Sequence, residues 1–378
     1  MSMTEDIRRA AFNFGFDRVA ITDARRFDAT HAVFADRVER GLFDGMDWMT
    51  VERARRASTP TDHVPTARSI ISLSTSYLFD NPEDLTRPGD PHGRVARYAW
   101  GTDYHGYIAE RTRQLCRYLQ EVHGAIAQPK ACVDTVALAE RAVAQRAGLG
   151  WFGKNTMLLT ESHGSWVFLS EIITDLELEP DTPLRKSCGS CRRCGDACPT
   201  GALDVPYELD ARLCISFLTI ELKGAIPRHL RARMGTWIFG CDICQEVCPV
   251  NRKVRQANQA NFEGDGGLGP SPALLPLLEL DDAGFSARFR HSPARRAKRA
   301  GLLRNVCVAL GNHGDPVAIR PLGNRLLTDP SPLIRQHAAW ALGRFDEPTA
   351  RQSLEQAWGI EIDTDVRTEI EAALLDTA

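Results

Sequence analysis

No apolar run in this chain of 378 residues is long enough to cross a bilayer. The longest uncharged apolar stretch, Ser69 to Phe79, falls far short of the about 20 residues a spanning helix needs. The N-terminal MSMTEDIRRA mixes acids with bases, so no secretory signal is expected and the cytoplasm is the expected compartment. Charge of one sign is not in large excess either. The formal net charge is −3, so any nucleic-acid contact must come from a local patch. Hydrophobic content of 43% with 25% charged residues is ordinary for a globular chain of two or three domains.

What the chain has in quantity is cysteine, eleven in all. Cys116, Cys132 and Cys307 are isolated, while eight lie between residues 188 and 248. A disulfide scaffold belongs to short secreted chains, so metal binding is the better reading here. The first run, Cys188-x2-Cys191-x2-Cys194-x3-Cys198-Pro199, is the ferredoxin spacing of 4Fe–4S proteins. The second, Cys241-x2-Cys244-x3-Cys248-Pro249, lacks a close fourth cysteine, and Cys214 supplies it. In two-cluster proteins the cysteine before proline ligates the other cube. Cys188, Cys191, Cys194 and Cys248 are therefore assigned to one cluster, and Cys198, Cys214, Cys241 and Cys244 to its neighbour. Zinc is the alternative, but neither run contains a histidine and both end in Cys-Pro.

The pattern predicts an α+β chain in three parts. Residues 1–180 read as a mixed α/β domain. Helices are expected at Ile7–Phe16, Tyr107–His123 and Val136–Ala147, with Gly148 as a stop. Strands are expected at Arg18–Thr22, Ser69–Tyr77 and Lys130–Val133, and Met157–Thr160 should pair with Trp166–Thr174 across a turn. Residues 181–260 hold the ferredoxin-like cysteine region, bounded by a proline-containing linker (179–187) and a Gly/Pro-rich one (261–276). Residues 261–378 are helical, with Ala-Leu-Gly recurring at 309 and 341. That spacing predicts HEAT-like repeats; a plain helical bundle is the alternative.

Gly148-Leu-Gly150-Trp-Phe-Gly153 matches a dinucleotide fingerprint by letter only. It follows a helix and leads into a strand, the reverse of what that fingerprint requires. A tight turn or a close backbone approach is expected instead. Asp134 ends a predicted strand, where it would serve as a helix N-cap or, if Thr135 caps, remain free for chemistry. The stretch 288–304, RFRHSPARRAKRAGLLR, carries seven Arg or Lys and no acid. It reads as a solvated face or, better, as a contact for nucleic-acid phosphates.

Several segments together resemble the epoxyqueuosine reductase family: ARYAWGTDYH (96–105), VDTVALAERAVAQRAGLGWFGKNTMLL (133–159), GSW (164–166), the cysteine runs, CISFLTIELKG (214–224) and RAGLLRNVCVALGN (299–312). The resemblance implies a cobalamin-dependent enzyme with two 4Fe–4S clusters. It would reduce the epoxide of epoxyqueuosine to an alkene at the tRNA wobble position, the last step of queuosine synthesis. It further implies Asp134 as the general acid, and cobalamin contacts from Arg56, Arg97, Tyr104, Asp134, Lys154, Asn155, Ser165 and Ser216. Expected tRNA contacts are Lys223, Arg295, Arg296, Lys298, Arg299 and Arg304. Two local departures occur: Thr135-Val136-Ala137 replaces the family's Ala-Pro, and ARRASTP (54–60) is one residue longer before its proline, which bears on Arg56. With no dinucleotide site, electrons should come from a separate protein, and a monomer is expected. Other readings are a reductive dehalogenase acting on a small molecule, or an electron-transfer module. The first would not need a basic solenoid; the second leaves Asp134 and the first 180 residues without a task.

Overall fold

The computed structural model describes residues 2–79, 83–257 and 266–376. Its N-terminal part is built on four strands: β1 (Arg18–Asp23), β2 (Ser69–Ser76), β3 (Lys130–Cys132) and β4 (Val167–Thr174). They form one antiparallel sheet in the order β1-β2-β4-β3. All eight residues of β2 are buried, because apolar clusters cover both faces. Ile71 and Leu73 pack with Ile7, Leu115 and Leu119 on one side, while Ile70 packs with Leu138 and Val143 on the other.

The first helix spans Met3–Asn13, starting earlier than predicted, because Ser2 and Glu5 close a reciprocal capping box. The long helix Tyr104–His123 begins at an Asp103 N-cap and stops at Gly124, whose φ of 67° is left-handed. Two expectations are corrected. The helix predicted from Val136 begins only at Glu140, since Asp134 sits at φ 54° and its side chain caps nothing. Nor does Met157–Thr160 form a hairpin with Trp166–Thr174. Leu158–Leu159 pairs with Trp151–Phe152, while β4 lies between β2 and β3. The glycines of the rejected fingerprint make this possible. A Cβ at Gly150 would lie 2.4 Å from the Leu159 carbonyl, and one at Gly148 would lie 2.4 Å from that of Thr182.

Each cysteine run carries a one-turn helix, Arg193–Asp196 and Ile243–Glu246. The cysteine region is tied into the N-terminal part by Arg94–Val95, which pairs in parallel with Trp237–Phe239. It also shares its core with the C-terminal helices, Phe239 and Leu218 belonging to the same cluster as Val306 and Ala341. Of the predicted 261–276 linker, residues 261–265 lie outside the described residues. The remainder contributes Leu268 and Leu274 to that core.

The C-terminal helices Lys298–His313, Ile319–Thr328, Pro332–Leu342, Pro348–Trp358 and Thr364–Asp376 stack as helical repeats. The Ala-Leu-Gly period has a direct cause. A Cβ at Gly311 would lie 2.9 Å from Ala341 Cα, and one at Gly343 would lie 2.7 Å from Ala373 Cβ. Each glycine therefore lets the next repeat's helix approach closely. Among the described residues no helix is long and apolar enough to cross a membrane.

Candidate functional site

Asp134 lies in the loop between β3 and the helix Glu140–Arg146, with its side chain 60% exposed. Three groups hold it. The Tyr104 hydroxyl donates to Oδ2 at 3.0 Å, and His105 Nε2 lies 3.2 Å from the same oxygen. The backbone N–H of Asp134 donates to the Glu140 carboxylate at 2.6 Å. His105 is fixed from its other nitrogen, Nδ1 standing 2.6 Å from Asp103 Oδ1. Tyr104 is locked between rings, stacked on Phe168 at 4.0 Å and on His105 at 4.1 Å.

The charges follow from this geometry. The hydrogen bond from His105 holds the Asp134 carboxyl below the usual range, against the opposing effect of burial and with help from Tyr104. Burial opposes the charge on His105, but the hydrogen bonds to Asp103 and Asp134 outweigh it and push the imidazole up to about 9. At neutral pH the pair is imidazolium and carboxylate, with a proton stored beside Asp134. Behind it, burial and then the Asp134 charge push Glu140 up to about 8. Glu171, fully buried in β4 opposite Ser72, is raised by burial as well.

The cysteines sort into two neighbourhoods. The Cys248 thiol senses Cys188 and Cys191, and Cys194 senses Cys188 and Cys248. Burial first raises Cys241 and Cys244; beyond it Cys241 senses Cys214 and Cys198, and Cys244 senses Cys241 and Cys214 and, across the boundary between the groups, Cys194. All eight are free thiols. Backbone N–H groups point at the sulfurs, from Ser216 and Phe217 to Cys214, from Ile243 to Cys241, and from Val250 and Asn251 to Cys248. Such donors stabilise thiolates and tune a cluster. Among the described residues no three His, Cys, Asp or Glu side chains converge as a single metal ion would require. Eight thiols, with no histidine in either run, are a donor set suited to thiolate-ligated iron.

Segment 96–105 joins this region to Asp134. Tyr98 has its ring 6.2 Å from both Tyr104 and Phe239, which is two residues before Cys241. Arg97 is buried, and its N–H donates to Asp242 at 2.7 Å. Asn155 and Ser165 are buried and turned toward the second cysteine run. Asn155 Nδ2 donates to the Cys244 carbonyl at 3.3 Å. Ser165 Oγ donates to Gln245 at 2.8 Å and accepts from Asn251 at 2.8 Å. Lys154 Nζ donates to the Gly189 carbonyl at 2.7 Å. Ser216 is half-buried in the helix Ile215–Ile220, and Arg56 is exposed in the helix Val51–Ala57.

The basic stretch divides. Lys223, Arg295, Arg296 and Lys298 are exposed. Arg296 pairs with Glu221 and adds to the field that keeps Asp134 ionised. Burial first, and then the nearby charges of Arg296 and Lys298, hold the Lys223 ammonium below its usual range. Arg299 and Arg304 are a correction to the expected tRNA contacts, because neither faces solvent. Arg299, 6% exposed, is paired with Asp329. Arg304, fully buried, donates to the carbonyls of Leu218, Leu222 and Gly224. Sequence reasoning also missed Asp103, His105 and Glu140. The first two stood inside the ARYAWGTDYH motif, and Glu140 six residues after Asp134.

Comparisons with known proteins agree with this arrangement. Residues 57–135 match the family model described as epoxyqueuosine reductase QueG, DUF1730. Residues 187–251 match a 4Fe-4S double cluster binding domain, and residues 294–375 match HEAT repeats. The chain thus contains a 4Fe–4S double-cluster domain. It is 36% identical to the epoxyqueuosine reductase of Bacillus subtilis over 98% of this chain and 95% of that protein. A solved epoxyqueuosine reductase holding an epoxyqueuosine-modified tRNA-Tyr stem loop superposes with a TM-score of 0.92 at 35% identity, covering 99% of this chain and 98% of that one. A Bacillus subtilis structure with its aspartate catalytic loop swung out of the active site gives a TM-score of 0.90 at 34% identity, covering 99% and 98%. With such identity sustained from end to end, and motifs, cysteine runs and helical repeats in the same order, this chain belongs to the epoxyqueuosine reductase family.

Proposed function

We propose that this protein reduces epoxyqueuosine to queuosine in the anticodon of tRNA. The observation that carries the reading is the exposed Asp134 carboxylate, held by Tyr104 and His105 and joined through the Tyr98 ring to the second cysteine run. Opening the epoxide and releasing its oxygen as water leaves an alkene and consumes two electrons and two protons. Cobalamin, when bound, supplies a reduced cobalt nucleophilic toward a strained carbon, and two 4Fe–4S clusters supply its electrons one at a time. Cys188, Cys191, Cys194 and Cys248 would hold one cluster, and Cys198, Cys214, Cys241 and Cys244 the other.

The chain's own residues manage the protons. An opening epoxide develops negative charge on oxygen and needs an acid within hydrogen-bond reach. Asp134 is that group, in relay with His105: the resting carboxylate takes the Nε2 proton of the His105 imidazolium and delivers it to the substrate oxygen, leaving a neutral imidazole that Asp103 keeps oriented. Tyr104 stays protonated, because burial and the Asp134 charge raise its phenol. It therefore remains a donor throughout.

The polar side chains of these motifs suit a ligand fringed with amides. Tyr104, Lys154 and Ser216 are partly accessible and are the residues we assign to direct contact with cobalamin, with Arg56 at the margin. Arg97, Asn155 and Ser165 would act from behind, by fixing the loops that carry Asp242, Cys244 and Gln245. Lys223, Arg295, Arg296 and Lys298 would meet tRNA phosphates, and an anticodon base would have to leave its stack to reach Asp134. In this reading residues 1–180 bind cobalamin, 181–260 carry the clusters and 261–378 grip tRNA, in a cytoplasmic monomer served by a separate electron-donor protein.

The test is to incubate the protein, loaded with cobalamin and iron–sulfur clusters, with epoxyqueuosine-bearing tRNA and a low-potential reductant, then to analyse nucleosides. Queuosine is the expected product; its absence with intact cofactors would overturn the reading. The dehalogenase alternative is not favoured, since family membership rests on relatives matched over nearly their full length.

A further inference from the structure

The two cysteine runs differ in what surrounds them. The second is enclosed: Ile238, Phe239, Asp242 and Gln245 are all buried, and Tyr98 links it to Asp134. The first is open, with Ser187, Gly189 and Ser190 exposed among its cysteines. Cys248 completes the first group from the far end of the region. The site formed by Cys188, Cys191, Cys194 and Cys248 is therefore the one that faces outward.

Its rim is basic. Arg185 precedes Cys188, Arg192 and Arg193 stand between Cys191 and Cys194, and Arg252, Lys253 and Arg255 follow Cys248; all six are exposed. Arg192 has only a loose 3.9 Å pairing with Asp196, and among the described residues the other five have no carboxylate within ion-pair distance. In a chain whose net charge is −3, this is a local inversion of sign. The Lys223–Arg296 patch is a different set of residues, whose charge acts on Asp134. Free guanidinium groups around a redox site select an anionic partner and speed its encounter.

We infer that the rim of Arg185, Arg192, Arg193, Arg252, Lys253 and Arg255 is the docking surface for an acidic, low-potential, one-electron carrier protein. Each encounter oxidises the carrier by one electron and reduces the outward-facing cluster by one, so two encounters supply the pair that the epoxide consumes. The inference rests on the cluster reading above but needs neither tRNA nor turnover for its test.

The test uses full-length, cluster-loaded protein and photoreduced flavodoxin as the acidic carrier, with cluster reduction followed by the loss of visible absorbance in stopped flow. The triple variant Arg192→Glu/Arg193→Glu/Lys253→Glu should reduce the second-order rate at low salt by at least about tenfold and flatten its salt dependence. Iron and sulfide content, the extent of reduction by excess dithionite, and tRNA affinity should match the unaltered protein. Should the triple variant lose its clusters, Arg252→Glu/Arg255→Glu probes the same rim farther from the ligands. An unchanged rate and salt dependence in a cluster-loaded variant would overturn the inference. So would a selective loss of tRNA affinity, which would make the rim a nucleic-acid contact.

Discussion

The backbone N–H of Asp134 is bonded to the side chain of Glu140 at 2.6 Å, with Asp134 in the left-handed region at φ 54°. A non-glycine residue there is held at a cost of about 1–3 kcal/mol, so something must hold it. Glu140 spans the loop from the first position of its helix and does so.

Glu140→Ala should therefore release the loop, lowering kcat about tenfold or more with little change in KM for tRNA. Glu140→Gln keeps an acceptor for the Asp134 N–H and should retain turnover within about threefold, since the hydrogen bond survives. Faster hydrogen exchange across residues 133–139 in the alanine variant alone would report the release directly. Equal behaviour of the two variants would show that Glu140 holds nothing.

Asp134→Asn preserves shape and removes the acid. Turnover should fall by about 10²–10⁴-fold, the usual contribution of general acid catalysis. Iron content, the cobalamin spectrum and tRNA affinity should persist. Full turnover with those intact would refute the role.

The pH dependence follows from His105. Its pKa rises from 6.5 to about 9 on folding, so its contribution to stability is complete below 6.5 and is lost as pH rises through about 9. The lowered carboxyl of Asp134 contributes the other way: its share is present above the ordinary aspartate range and is lost as pH falls through the depressed value. Single-turnover rates should accordingly be level near neutrality and decline through about pH 9 as the reservoir empties. His105→Asn should lose that alkaline limb; an unchanged limb would assign it to another group.

Exposed and buried cations in and near the basic stretch should separate cleanly. Arg296→Ala and Lys223→Ala should each weaken tRNA binding and reduce the slope of log K against log salt by about 1. Arg304→Ala should leave the carbonyls of Leu218, Leu222 and Gly224 without their donor, costing at least about 3 kcal/mol. Thermal melting reads that loss. Salt-dependent tRNA binding of the folded protein should be unaffected.

Much of the molecule was legible along the chain. Spacing alone marked the two cysteine runs of the double-cluster domain, because a ferredoxin loop is local and its intervals are set by the cube it wraps. The Ala-Leu-Gly period was readable because Gly311 and Gly343 recur wherever one helix must touch the next. Strands β1 and β2 stood out for the same reason: their side-chain pattern is a property of consecutive residues. The chemistry of the site was less visible. That His105 shares a proton with Asp134 depends on segment 96–105 running between the cysteine region and the sheet, which no local pattern encodes. The same holds for Arg299 and Arg304, cations in a run that reads as one solvated stripe. Whether a guanidinium meets water or a buried carbonyl is decided by what packs over it, and here that is Asp329 and the helix after Cys214. The sequence by itself determined the cofactor-bearing motifs and the repeat, since those depend on near neighbours. Only the tertiary structure decided which charges face solvent and which side chains meet Asp134, since burial and pairing are contributed by distant residues.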